Sequence, residues 1–176
     1  MGEARRILVT GGAGYVGTVV IPMLLERGHE VVILDNFLFG YGPVLHFATH
    51  PRVRIINGDV RRRADLAGAL EGVDDVIHLA AIVGFPACAA DENAAVSTNY
   101  ESTQLLLELM GPQQRLIYAS TGSCYGRAET FCDENTPINP LTVYARTKAD
   151  SEEAILASPH AGNSVILRFA TVFGAS

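Results

Sequence analysis

The chain has 176 residues, of which 48% are hydrophobic and 18% are charged, enough for one hydrophobic core and too little for two ordinary domains. Thirteen basic residues against nineteen acidic ones give a net charge of -6, which argues against binding to nucleic acid or to a membrane surface. The first apolar run ends at Gly11 and is too short for a signal sequence or a membrane span, so we expect a cytoplasmic protein.

Short apolar runs rich in Ile and Val alternate with amphipathic stretches along the whole chain. The predicted strands are Arg6 to Thr10, Val31 to Asp35, Val53 to Asn57, Asp75 to Leu79, Arg115 to Ser120 and Ser164 to Phe169. The predicted helices are Val16 to Arg27, Ala64 to Leu70, Ala94 to Met110 and Val143 to Ala157. This alternation predicts one α/β domain over residues 1–176, a doubly wound Rossmann parallel sheet with helices on both faces.

A glycine-rich segment follows the first strand and opens the first helix. Its glycines stand at Gly11, Gly14 and Gly17. They suit, in that order, a tight turn, a close approach of the backbone to a pyrophosphate, and close packing of helix on sheet. The position of this segment between a strand and a helix predicts a dinucleotide site.

Asp35 ends the second strand, 18 residues after Gly17. At about this spacing a carboxylate accepts the ribose hydroxyls of the adenosine half. The same negative charge repels the 2′-phosphate of NADP, and Asn36 to Pro51 contain no Lys or Arg to bind it. We therefore expect NAD as the cofactor.

The only lysine of the chain, Lys148, stands four residues after Tyr144 in a predicted helix. Residues four apart share one helix face, so the ammonium and the phenol are expected to point into one cavity. A phenol has an ordinary pKa near 10, and a nearby positive charge is needed for it to act as a base at neutral pH. By contrast, we interpret the run Arg61 to Arg63 as an exposed helix entrance rather than a phosphate site.

The glycine loop, Asp35 and the Tyr144–Lys148 pair resemble the extended short-chain dehydrogenase/reductase family, in its NAD-dependent sugar-nucleotide epimerase/dehydratase branch. Four further segments are similar to that family: Asn57 to Val60, His78 to Ala81, Ser97 to Tyr100 and Ala119 to Gly126. The resemblance implies Thr121, Tyr144 and Lys148 as catalytic residues. It implies cofactor contacts from Gly11, Gly14, Tyr15, Val16, Gly17, Asp35, Asn36, Asp59, Val60, Leu79, Ala80, Ala81, Asn99, Tyr144 and Lys148.

The resemblance further implies an NAD-dependent epimerase that acts on a nucleotide sugar through a transient 4-keto intermediate. Gly122 and Ser123 replace the Asp-Glu pair with which the dehydratases eliminate water, which argues against 4,6-dehydration. Two alternatives stay open: an NAD-dependent ketoreductase or oxidoreductase of the same family, and a non-catalytic NAD-binding module. The family's C-terminal substrate region is expected to be missing, and we also expect a homodimer and no metal site.

Overall fold

A computed structural model describes residues 3–128 and 130–174 of the chain. Six strands form its sheet: β1 (Arg6–Thr10), β2 (Glu30–Asp35), β3 (Val53–Asn57), β4 (Asp75–His78), β5 (Arg115–Thr121) and β6 (Ser164–Phe169). All five strand pairs are parallel, and the strand order is β3-β2-β1-β4-β5-β6. The predicted doubly wound sheet is therefore confirmed, with strand ends within one residue of those expected.

The helices are α1 (Tyr15–Glu26), α2 (Arg63–Leu70), α3 (Phe85–Ala90), α4 (Glu92–Val96), α5 (Ser102–Leu109) and α6 (Val143–Ala157). A 3-10 turn spans Gly42–Phe47 within the long loop after β2, and a second spans Gly122–Tyr125 after β5. The predicted helix from Ala94 to Met110 is confirmed as a continuous helical stretch, but it contains a π-helical turn, Ser97–Glu101, between α4 and α5.

Alternate side chains of the strands enter two separate cores, one on each face of the sheet. Leu8 of β1 packs with Leu66 of α2 and Leu106 of α5 on one face. Its neighbour Val9 packs with Ile21 of α1 on the other. The strands β1, β2, β4 and β5 are largely buried, as their Ile and Val content predicted, whereas the edge strands β3 and β6 keep exposed side chains.

The order of the strands reverses between β1 and β4, which are hydrogen-bonded neighbours although two strands separate them along the chain. In open α/β sheets a ligand crevice lies outside the carboxyl ends of the strands at such a reversal. The segments after β1, β2, β4 and β5 all meet at this edge, and the candidate site is built there.

Candidate active site

The glycine loop after β1 approaches neighbouring backbone too closely for side chains. Gly11 has a φ of +67°, and a Cβ there would lie 2.7 Å from the backbone N and Cα of Ala80. A Cβ on Gly17 would lie 2.5 Å from the carbonyl oxygen of Gly12. Gly14 caps the first turn of α1 without a side chain. The loop thus leaves backbone N–H groups of the helix start accessible, as an anion cradle requires.

Asp35 lies beside this cradle at the end of β2. One of its carboxylate oxygens accepts a hydrogen bond from the Ala13 N–H at 2.9 Å, and the other accepts from the Phe37 N–H at 2.8 Å. The Asn36 side chain accepts from the Leu38 N–H at 3.0 Å. Each oxygen of a carboxylate has two lone pairs, so Asp35 remains able to accept from a hydroxyl pair.

The carboxylate of Asp59, after β3, is held by Arg61. The Arg61 Nε donates to both Asp59 oxygens at 3.0 Å, and its Nη2 donates to Oδ2 at 2.5 Å. These hydrogen bonds hold the pKa of the Asp59 carboxyl below its usual range, against the opposing effect of partial burial. Val60 next to it is buried, at 6% exposure.

The segment after β4 forms the floor of the site. The Leu79 N–H donates to the Thr10 carbonyl at 3.1 Å, and the Ala80 N–H donates to the Thr10 hydroxyl at 3.3 Å. That hydroxyl also lies 2.7 Å from Nδ1 of His78. Burial lowers the pKa of His78 to about 3, so this ring is neutral and holds the loop in place rather than carrying a proton.

The three expected catalytic residues come from two elements. Thr121 ends β5, and Tyr144 and Lys148 lie one turn apart on α6. The hydroxyl of Thr142 caps that helix by accepting from the Ala145 N–H at 3.1 Å. All three side chains line the same cavity, as their positions along the chain predicted.

Lys148 is almost fully buried, with 2% of its surface exposed. Its Nζ donates to the Ala119 carbonyl at 2.8 Å and lies 4.6 Å from the centre of the Tyr118 ring. Burial lowers the pKa of Lys148 to about 8. The ammonium is therefore protonated at neutral pH, but with a substantial desolvation cost.

The expectation that Lys148 lowers the pKa of Tyr144 is not met in this structure. Burial raises the pKa of Tyr144 above its usual value, and the neighbouring Thr121 hydroxyl only partly offsets this effect. The phenol therefore stays protonated at neutral pH in the structure described, because desolvation of the phenolate outweighs the effect of its neighbours.

Asn99 lies in the π-helical turn, behind the cavity wall, with 1% exposure. Its Oδ1 accepts from the Ile82 N–H at 2.8 Å, and its Nδ2 donates to the Ile82 carbonyl at 3.0 Å. Nδ2 also donates to the Thr147 hydroxyl on α6 at 3.2 Å. Asn99 therefore ties the loop after β4 to the helix that carries Tyr144, and it is not among the residues lining the cavity.

These segments enclose a cavity of about 1270 Å³ at the strand reversal. The expected site residues that line it are Gly11, Gly14, Tyr15, Val16, Gly17, Asp35, Asn36, Asp59, Val60, Leu79, Ala80, Ala81, Thr121, Tyr144 and Lys148. Sequence reasoning missed Arg61 and Ser120, which also line the cavity. The pairing of Arg61 with Asp59 two residues earlier was visible as a charge pattern, whereas nothing in the sequence indicated Ser120.

Within residues 3–128 and 130–174 the structure has no helix long and apolar enough to cross a membrane. The same residues hold no cluster of three or more His, Cys, Asp or Glu side chains that would suit a metal ion.

Comparison with known proteins finds similarity to sugar-nucleotide epimerases and to steroid dehydrogenases. An uncharacterized UDP-glucose epimerase of Bacillus subtilis is 34% identical over 96% of this chain and 57% of that protein. The 3-beta-hydroxysteroid dehydrogenase of Mycolicibacterium neoaurum is 33% identical over 88% of this chain and 43% of that protein. The chain thus spans about half the length of the curated relatives it matches.

Among solved structures, the UDP-glucuronic acid 4-epimerase from Bacillus cereus, in complex with UDP-glucuronic acid and NAD, superposes with a TM-score of 0.87. It is 32% identical, and the match covers 96% of this chain and 57% of that one. The sequence model of the NAD dependent epimerase/dehydratase family matches residues 7–176, in agreement with this structural similarity. The chain therefore belongs to the NAD dependent epimerase/dehydratase family.

Proposed function

We propose that the protein binds NAD and catalyses the 4-epimerisation of a nucleotide sugar. The observation that carries this proposal is the meeting of Thr121, Tyr144 and Lys148 with the glycine cradle in one cavity. A site for cofactor binding alone has no need of a partly buried phenol and a buried ammonium on the same helix face, since burying the ammonium is costly. The similarity to 4-epimerases supports the same activity.

The residues of the cavity fit a dinucleotide. A Cβ on Gly11 would strike the Ala80 backbone and one on Gly14 would lie 3.1 Å from the Gly11 carbonyl oxygen, so only glycine fits this tight turn at the start of the helix, where backbone N–H groups can bind a pyrophosphate. Asp35 would accept the ribose hydroxyls of the adenosine half, and Lys148 would donate to those of the nicotinamide half. When bound, NAD supplies a hydride acceptor and a positively charged ring.

Thr121 and Tyr144 would bind the 4-hydroxyl of the sugar and accept its proton. The Thr121 Oγ1 already accepts a hydrogen bond from the Ser123 N–H at 3.1 Å, so its own proton is free to be donated toward the substrate or Tyr144. Thr121 would hold the 4-hydroxyl of the sugar beside Tyr144, and the Tyr144 Oη would take the proton as the hydroxyl is oxidised. The epimer would form when the 4-keto sugar turns over in the cavity and C4 recovers the hydride on its other face, while the Tyr144 Oη returns the proton to the oxygen.

Burial raises the pKa of the Tyr144 phenol. The phenol can therefore act as a base in this mechanism only if positive charge in the cavity stabilises the phenolate. The charge of Lys148 does not by itself offset burial in the structure described, so the positively charged ring of bound NAD would have to supply the remainder. Gly122 and Ser123 offer no carboxylate next to Thr121, so elimination of water from the sugar lacks an acid and a base at that position.

A second candidate is an NAD-dependent oxidoreductase that releases the ketone. The similarity to a 3-beta-hydroxysteroid dehydrogenase favours it, because the same Thr, Tyr and Lys roles would serve to oxidise a free alcohol. The expected homodimer and the cytoplasmic location stay predictions.

The test is to incubate the purified protein with UDP-glucose or UDP-glucuronic acid and NAD, without reductant, and to analyse the sugar by NMR. We expect the 4-epimer with no net formation of NADH. Tyr144→Phe should abolish it, whereas the control Tyr100→Phe, whose hydroxyl accepts from Gln104 on the surface, should not. Stoichiometric NADH with a ketone product would instead establish the oxidoreductase. An active Tyr144→Phe variant would refute the mechanism.

A further inference from the structure

The three consecutive arginines after β3 are all exposed, but they differ in what they contact. Arg63 pairs with Glu108 on the surface, with 2.5 Å between the charged atoms. Arg62 is the N-cap residue of α2. Arg61 is exposed as predicted for a helix entrance, and it also lines the wall of the cavity.

Arg61 is held in one orientation by four hydrogen bonds. Its backbone N–H donates to Asp59 Oδ1 at 2.9 Å, and the Nε and Nη2 groups along one edge of the guanidinium donate to the same carboxylate. Asp59 is itself fixed, because its own N–H donates to the Asp65 carboxylate at 2.8 Å. A guanidinium bound edge-on in this way keeps both of its flat faces clear of the pair.

Arg61 also lies at a defined end of the cavity. It follows β3, which pairs with β2, and the Gly58 N–H donates to the Asp35 carbonyl at 2.9 Å, so the segments that carry Arg61 and Asp35 lie side by side and both line the cavity. Asp35 is the candidate partner of the adenosine ribose, so this is the end where a purine attached to that ribose would lie. The side chain of Arg61 is 44% exposed and that of Asp59 only 15%, so the guanidinium stands nearer the open space than the carboxylate does.

We propose that Arg61 forms one wall of the adenine pocket and packs the plane of its guanidinium against the purine ring, with Asp59 holding that plane in position. This inference rests on the proposed binding of NAD. Planar, delocalised arginine side chains stack on aromatic rings, and bases stack on such planes without regard to their substituents.

A purely electrostatic role, in which Arg61 attracts phosphate, is the main alternative. The geometry disfavours it because the Asp59 carboxylate in direct contact compensates the charge of Arg61. A charge that served a phosphate would also be replaceable by lysine, whereas a stacked plane is not.

The experiment measures binding by calorimetry for the wild type, Arg61→Met, Arg61→Lys and the matched control Arg63→Met. The ligands are NAD, its hypoxanthine analogue, and ADP-ribose, which keeps the adenosine half. We expect both Arg61 variants to weaken all three ligands by a similar factor of about 3 to 30, the range that corresponds to one cation–π contact. Arg63→Met, which removes the same charge from the same segment, should bind as the wild type does.

Wild-type affinity in Arg61→Lys would show that charge suffices, and it would overturn the stacking role. Unchanged affinity in Arg61→Met would overturn any role of Arg61 in binding. Urea unfolding of each variant would show whether the partly exposed side chain also affects stability, and Arg61→Lys provides a variant that keeps the ion pair with Asp59. A wild-type protein that binds none of the three ligands would refute the proposed function itself, and the inference with it.

Discussion

Replacing Lys148 by methionine should stabilise the protein at neutral pH while removing a residue that the proposed reaction needs. The ammonium is buried at 2% exposure, and burial lowers its pKa from 10.5 to about 8. At about 1.4 kcal/mol per pKa unit, the folded state is destabilised by about 3 kcal/mol when the lysine is charged. Losing the hydrogen bond to the Ala119 carbonyl offsets about 1–2 kcal/mol of that gain. We therefore expect Lys148→Met to be more stable by about 1–2 kcal/mol at pH 7.

The pH dependence provides the sharper measurement. Between pH 8 and 10.5 the unfolded chain keeps a proton on Lys148 that the folded chain has lost. The contribution of this residue to the free energy of unfolding therefore rises with pH across that interval. The stability advantage of Lys148→Met should shrink as the pH rises above 7 and reverse before pH 10. Urea unfolding of both proteins, followed by circular dichroism at several pH values, measures this difference directly.

Taking the difference between the two proteins cancels other groups that titrate in the same range, among them Cys88 and Cys124, whose thiol pKa values burial raises. Arg146→Met is the matched control, because it removes one positive charge from an exposed position on the same helix. Its stability difference from the wild type should not vary over this interval. A difference for Lys148→Met that is constant from pH 7 to pH 10 would refute the lowered pKa and the stability gain derived from it.

Two further predictions concern the frame of the site, and urea unfolding tests both. Gly11→Ala should destabilise the protein by about 2–5 kcal/mol. The residue has a left-handed φ of +67°, and the added Cβ would lie 2.7 Å from backbone atoms of Ala80. Gly40→Ala, with a φ of +89° and nothing within 4 Å, should cost only about 1–2 kcal/mol, and equal costs would contradict the close approach. Glu152→Ala should cost about 2–4 kcal/mol, because it leaves the largely buried Arg168 without the carboxylate it contacts at 2.6 Å. A loss below about 1 kcal/mol would contradict a stabilising role for Glu152.

The sheet was predictable from sequence because its central strands are largely buried and therefore appear as short runs of Ile and Val. The cradle was predictable for a similar reason. A Cβ at Gly11 or Gly17 would clash with backbone atoms, so only glycine fits these two positions and the sequence shows it directly. Tyr144 and Lys148 were predictable as a pair because four residues make one helical turn.

The remaining features depend on contacts between segments distant in the chain. The π-helical turn coincides with the hydrogen bonds that Asn99 makes to Ile82, a partner 17 residues away, so the helical pattern of the sequence gave no sign of it. The pKa of Tyr144 likewise depends on how far the phenol is desolvated. Spacing identified its neighbour correctly but could not weigh burial against that neighbour's charge.

Two residues that lie four apart on α6 hold the end of β5 in place through buried hydrogen bonds. Lys148 donates to the carbonyl of Ala119, and Glu152, one turn later, accepts from the hydroxyl of Ser120. Residues four apart on one helix face thus fix consecutive residues of the strand that ends in Thr121. A shift of α6 along its axis would break both contacts together, so the position of Thr121 beside the phenol of the same helix is set by buried groups rather than by the exposed loop that follows.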